Sequence, residues 1–259
     1  MKTPPGARLV SDPDELEAFY ADHRAAHIYA LVDLEAPFWE GSRWYRRGDA
    51  VVGIVGLPNG EGLAVYGVST KDPAGSTELL CELAEDLPAG LLITGPSDVE
   101  SALTGVRPIV PMGPHVRYEL ADHTAVAAPR SDLVALSRHD EAEVQALYDS
   151  DPGAAFFLPH MLNDESFVGV RVDGELVAAA GTHVLSERQR VAAIGAVYTR
   201  PHHRARGHGA AVTAGVIDRL AGRVDVIGLN VHAENTAARR IYQSMGFRPV
   251  LDYAEAELA

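Results

Sequence analysis

The run Arg204-Ala-Arg-Gly207-His-Gly209 places two cations and two glycines between an apolar stretch and a helix-like repeat. Upstream, Val191-Ala-Ala-Ile194-Gly-Ala-Val197-Tyr198-Thr199 has the length and apolar content of a strand. Downstream, Ala210, Val212, Val216, Ile217 and Leu220 recur at helical spacing. The first N–H groups of a helix have no intrahelical partner, and the helix dipole favours negative charge there. Gly207 and Gly209 carry no Cβ to hold a ligand off. The chemistry this spacing supports is capture of an anion by backbone N–H groups.

Other ligand chemistries fit less well. The dinucleotide pattern Gly-x-Gly-x-x-Gly fails because position 212 is Val, and no Gly-Lys-Ser/Thr follows to make a P-loop. His202, His203 and His208 cluster at the turn, but adjacent histidines point apart and no acidic residue lies beside them, so no metal site is expected. The single Cys81, inside Leu79-Leu-Cys-Glu-Leu, excludes an internal disulfide and a cysteine-based zinc site. It reads as a buried helix residue.

A second run supplies what the first lacks. Val224-Asp-Val-Ile-Gly-Leu-Asn-Val231 is rich in strand-forming residues. After it come Asn235, suited to cap a helix, and Gly246, suited to the left-handed position that ends one. Between them lie Ala238 and Tyr242, and Phe247 follows.

Together the two runs resemble the GNAT superfamily of N-acyltransferases. Arg204-x-x-Gly207-x-Gly209, after a Val197-x-x-x-Pro201 strand end, matches its acetyl-CoA signature. Asn235-x-x-Ala238-x-x-x-Tyr242-x-x-x-Gly246-Phe247 fills every fixed position of its second pattern. Ile194-Gly-Ala-Val-Tyr-Thr-Arg-Pro201 is similar to two-lobed, glycine N-acyltransferase-like members with a C-terminal catalytic lobe.

The resemblance implies an α/β (α+β) GNAT fold, a mixed central sheet flanked by helices, and acyl transfer from acetyl-CoA to the amine of a small acceptor. It implies pyrophosphate against the N–H groups of Arg204, Ala205, Arg206, Gly207, His208, Gly209 and Ala210, with both arginines adding charge. The pantetheine arm would pair with Val197 and Thr199. An N–H of Val197 or Tyr198 would polarise the thioester carbonyl. Tyr242 is the candidate general acid toward the departing thiolate, and Asn235 both caps its helix and contacts CoA. The base is open: Val191–Thr199 contains no acid, and Glu187, His183, His232 and Tyr198 are candidates, as is a water relay or an acceptor arriving neutral. A CoA-binding module without catalysis is the alternative.

The elements that must position these groups occupy residues 129–259. A helix over Asp140–Tyr148 is broken at Pro152-Gly153, a short helix or loop covers Phe156–Leu162, and a hairpin over Phe167–Ala178 turns at Asp173-Gly174. His160 and Met161 precede the hairpin, where the family builds its acceptor wall. The motif strand and helix, the second strand and helix, and a last strand over Arg248–Leu258 follow.

Residues 1–128 have the same coarse order: a helix Asp12–Ala25, strands near Trp44–Val55 and Leu63–Val68, a helix Thr77–Asp86, a strand Gly90–Thr94, a short helix Asp98–Thr104 and a strand His115–Leu120. No glycine signature lies between Val68 and Thr77. A degenerate GNAT-like lobe without a CoA loop is therefore expected, joined at Val126–Arg130. The aromatic run Phe38-Trp39-Glu-Gly-Ser-Arg-Trp44-Tyr45 reads as packing or as an acceptor wall.

Composition sets outer limits. A chain of 259 residues with 47% apolar content can fold as one large or two ordinary domains. The net charge of −14 argues against nucleic acid, while an acidic surface would attract a cationic amine. Residues 1–128 carry 9 basic and 19 acidic side chains, a net of −10. No apolar run spans a bilayer and Met1-Lys-Thr-Pro-Pro-Gly lacks a signal core, so a cytoplasmic enzyme is expected, with a homodimer as one form.

Overall fold

The computed structural model describes every residue except 57–62, 152 and 154. Pro152, expected to break a helix, lies outside the described residues. By its contacts the chain forms two units. The first comprises Met1–Arg117, Val231–Asn235 and Pro249–Ala259, the second Tyr118–Asn230 and Thr236–Arg248.

The first unit begins with strand β1 (Arg8–Val10), then helices α1 (Pro13–Tyr20), α2 (Ile28–Asp33) and α3 (Phe38–Gly41). Strands β2 (Arg43–Arg47), β3 (Ala50–Gly56) and β4 (Leu63–Tyr66) follow, then α4 (Pro73–Ala84), β5 (Leu92–Gly95), α5 (Val99–Thr104) and β6 (Ile109–Leu120). Neighbours from β1 to β4 pair antiparallel, and β4 pairs parallel with β5. Asp12 caps α1 through the Asp14 N–H, with Pro13 at the first helical position, as the sequence pattern requires. Trp44 lies flat over Gly53, where a Cβ would meet its ring at 2.6 Å. Trp44 and Tyr45 are thus core, at 0% and 1% exposure, rather than an open acceptor wall.

The second unit contains β7 (Leu133–Ala135), α6 (Glu141–Asp149), β8 (Val168–Val172), β9 (Glu175–Ser186) and β10 (Val191–Thr199). Then come α7 (His208–Leu220), β11 (Val226–His232), α8 (Thr236–Ser244) and β12 (Phe247–Leu258), of which residues 231–232 and 249–258 fall in the first unit. From β7 to β10 the neighbours pair antiparallel, and β10 pairs parallel with β11. This is the order and sense found in the first unit. The Asp173-Gly174 turn has φ of +52° and +86°, the conformation that lets a two-residue loop follow the strand twist.

Helix α7 packs on β7, β8, β9 and β10 through its small residues: a Cβ on Gly215 would lie 2.7 Å from Leu133 of β7 and 3.1 Å from Val168 of β8. Tyr148 of α6, Phe157, Met161, Phe167, Ala196 and Tyr198 form a separate core cluster in this unit. Met161 is therefore a packing residue, while His160 is exposed.

The last strand belongs partly to the first unit. Ala254–Glu257 of β12 pair antiparallel with Leu92–Gly95 of β5, and Ala254, Ala256 and Leu258 enter that unit's core with Leu79, Leu83 and Ile93.

Candidate functional site

Strand β10 is irregular where it matters. Its parallel register with β11 runs from Val191↔Val226 to Ile194↔Leu229, and its antiparallel register with β9 shifts between Gly195 and Tyr198. Within that shift Ala196 adopts φ +52°, a left-handed value uncommon for a residue with a Cβ. Both of its polar groups are held. Its N–H lies 3.1 Å from His183 Nε2, and its carbonyl accepts from the Tyr148 hydroxyl at 2.6 Å. In a planar trans peptide the N–H points opposite to the C=O, so the Val197 N–H is directed away from Tyr148.

Past the bulge the strand regains its alternation. Arg200 N–H donates to Val177 O on β9 at 2.9 Å, and Tyr198 sits opposite Ala179. Alternate N–H groups therefore face β9, which commits Tyr198 and turns Thr199 to the other edge. Of the two oxyanion candidates, Val197 has the N–H that is not drawn into this pairing. The Tyr198 side chain packs in the core at 4% exposure, its hydroxyl 3.3 Å from Ser150 Oγ.

The turn into α7 has the form the glycines promised. Ala205 and Gly207 take φ of +59° and +79°. Gly207 is the N-cap and supplies no side chain to the first turn. The first backward bond of the helix runs from Ala211 N–H to Gly207 O at 3.0 Å, leaving the N–H groups of His208, Gly209 and Ala210 ahead of it. Residues 204–207 are exposed and no acidic side chain caps the turn. Arg206 is free to approach an anion. Arg204 is partly engaged, with Nε on Thr199 O at 3.0 Å and a guanidinium nitrogen 3.0 Å from Asp151. His208 turns inward at 7% exposure, and burial, then Arg130, favours its neutral ring.

In the first unit the corresponding helix start is capped. Helix α4, which like α7 links two parallel neighbours, is capped by Asp72, whose carboxylate accepts the Gly75 N–H at 2.9 Å. A carboxylate already fills that helix start and would repel a phosphate.

Tyr242 lies on α8, 8% exposed, with its ring 5.9 Å from Phe247. Burial pushes its phenol up to about 12, so it carries its proton at neutral pH. Asn235 is exposed and immediately precedes α8. The base candidates are distributed differently. Glu187 pairs with Arg223 at 2.8 Å, ahead of Val191. Six residues of strand at ~3.3 Å each place it some ~20 Å from Val197. His232, the last residue of β11, falls in the first unit, its ring 5.0 Å from that of His115. His183 already faces the Ala196 N–H. That contact, with Tyr148, was not read from the sequence, although a glycine inside a strand signals a bulge. Gly195 is that glycine: a Cβ there would meet the His183 ring at 2.2 Å.

A bulged strand thus leads to an open helix start, with a protonated phenol on the following helix; residues 133–247 match the model of the acetyltransferase (GNAT) family. Solved structures share the fold across both units. An acetyltransferase of the GNAT family from Novosphingobium aromaticivorans is 24% identical, with TM-score 0.60 over 83% of this chain and 89% of its own. A Drosophila protein is 20% identical, with TM-score 0.71 over 98% of each chain. A GCN5-related N-acetyltransferase from Sphaerobacter thermophilus is 16% identical, with TM-score 0.61 over 99% and 96%. No curated protein matches the sequence. Among the described residues no helix is long and apolar enough to cross a membrane.

Proposed function

We propose that the protein transfers an acyl group, acetyl in the first instance, from CoA to the amine of a small acceptor by direct attack. The observation that carries this reading is the open start of α7, with left-handed Ala205 and Gly207, directly beyond the bulge of β10. Pyrophosphate would lie on the N–H groups of the α7 turn, with Arg206 adding charge, and pantetheine along the Val197–Thr199 edge.

The steps follow from these groups. The neutral amine attacks the thioester carbonyl carbon and a C–N bond forms. Charge develops on the carbonyl oxygen, where the Val197 N–H stabilises it. The C–S bond breaks and the sulfur takes a proton from the Tyr242 phenol. The proton released by the amine nitrogen returns through water to the phenoxide. Amide and free thiol are the products.

The likeness of Ile194–Pro201 to glycine N-acyltransferase-like proteins makes amino-acid amines the first acceptors to try. The test is release of free CoA thiol from acetyl-CoA against a panel of amines. Acceptor-dependent release is expected; acetyl-CoA binding with no release across the panel would favour a CoA-binding module instead.

A further inference from the structure

We propose that His183 is a positioning residue for acyl transfer: its neutral imidazole accepts the Ala196 N–H at Nε2 and so holds the Gly195–Ala196 peptide, and with it the left-handed Ala196 from which the Val197 N–H is presented. The proposal rests on the acyl-transfer reading above.

Three observations carry it. Ala196 holds a left-handed φ of +52°, a conformation that persists where the surroundings over-determine it. Its N–H and C=O are gripped from two elements, by His183 of β9 at 3.1 Å and by Tyr148 of α6 at 2.6 Å. Gly195 provides the space, since a Cβ there would lie 2.2–2.4 Å from three His183 ring atoms. His183 holds the Gly195–Ala196 peptide and Tyr148 the Ala196–Val197 peptide, so losing either contact releases one side of Ala196 and, through it, the donor aimed at the reacting carbonyl.

The contact also fixes the tautomer. To accept from Ala196, Nε2 must be bare and Nδ1 must carry the proton. The Phe156 carbonyl lies 3.2 Å from the same Nε2. A second proton on the ring would turn Nε2 from acceptor to donor, toward Phe156 O and away from the Ala196 N–H. Burial favours the neutral ring. The other titratable groups in this network are the Tyr148 phenol of α6, raised by burial, and the Tyr198 phenol of β10, which lies 3.3 Å from Ser150. The one basic lone pair of the neutral ring, on which a general base would rely, is therefore already used, which sets His183 apart from proton abstraction.

Nitrogen-15 NMR of the whole protein tests the contact without reference to turnover. The expected result is an Nδ1-protonated His183 and a downfield Ala196 amide proton that moves upfield as His183 titrates with acid. An Nε2-protonated ring, or an Ala196 amide blind to that titration, overturns the proposal. In kinetics, His183→Leu is expected to lower kcat ~100-fold, the usual effect of losing one oxyanion donor, with KM for acetyl-CoA within about threefold. His183→Gln, whose amide oxygen can replace Nε2, should restore most of kcat and lose the acid limb contributed by His183. A His183→Leu variant with wild-type kcat overturns the proposal. If His183→Leu fails to fold, the Gln variant and the NMR titration still decide. If wild-type protein binds acetyl-CoA but never releases thiol, the acyl-transfer reading fails, and the NMR result judges the contact by itself.

Discussion

Tyr242 has its protonation set before any ligand arrives. Its phenol, ordinarily near 10, is held at about 12 by burial on α8, so near neutrality it can give a proton but not take one. Replacing it with Phe keeps the ring against Phe247 and removes only the hydroxyl. Tyr242→Phe should lower kcat ~100-fold with KM for acetyl-CoA nearly constant, as expected when a general acid is lost but binding is kept. Steady-state thiol release against both substrates measures this; an unchanged kcat removes the general-acid role. At this scale the sequence was informative wherever a residue's local geometry is its function. Gly246 has φ +88° and a Cβ there would lie 2.2 Å from Asp122 O. What could not be read were partners brought in by the fold: Asp151 for Arg204, His183 and Tyr148 for Ala196, and the burial of the Tyr198 side chain.

At the scale of elements, α7 and α4 show the same helix start in two electrostatic states. One opens on Gly207 with no side-chain cap; the other opens on Asp72 bound to its own first turn. Placing a carboxylate on the third residue of α7 should copy the second state onto the first. Ala210→Glu is expected to weaken CoA binding at least ~10-fold by repulsion. Its melting temperature should stay level or rise, because acid in a first turn favours the helix dipole. Calorimetric titration with CoA and a thermal melt separate the two effects; unchanged affinity would place the pyrophosphate elsewhere.

Helix α2 carries the opposite fault, ending on Asp33, whose carboxyl burial pushes up to about 8. A raised carboxyl pKa means that the folded state holds the proton more tightly than the unfolded chain. The associated stability is complete below about 4 and is lost as pH climbs toward 8. Asp33→Asn should therefore match wild type in acid and gain about 1–2 kcal/mol near pH 8, its partial exposure limiting the gain. Urea melts across that range test it. The longer elements were largely readable from periodicity, while the three-residue strands β1 and β7 were missed and β2 and β3 were read as one strand. The short helices α2 and α3 lack enough turns to show a period, and the bulge breaks the two-residue alternation of β10.

At the scale of the whole chain, two units repeat one order of strands, yet neither is a continuous stretch. Residues 231–235 and 249–259 return to the first unit. Local pattern gives no warning of this, because a strand's apolar alternation names its faces but not its neighbours. Removing residues 249–259 would strip Ala254, Ala256 and Leu258 from the core around Leu79 and Ile93. Hydrogen exchange should then show α4 and β5 losing protection while α7 and β9 retain theirs; equal loss in both units would mean they unfold as one.

The return of β12 to β5 also sets a timetable for birth. A nascent chain emerges from the ribosome at ~5–20 residues per second, and domains ordinarily finish in the order they are made. Here the strand that closes the first unit is translated more than a hundred residues after that unit's main segment ends at Arg117. Until Leu258 has cleared the exit tunnel, the edge of β5 that pairs with β12 is without that strand.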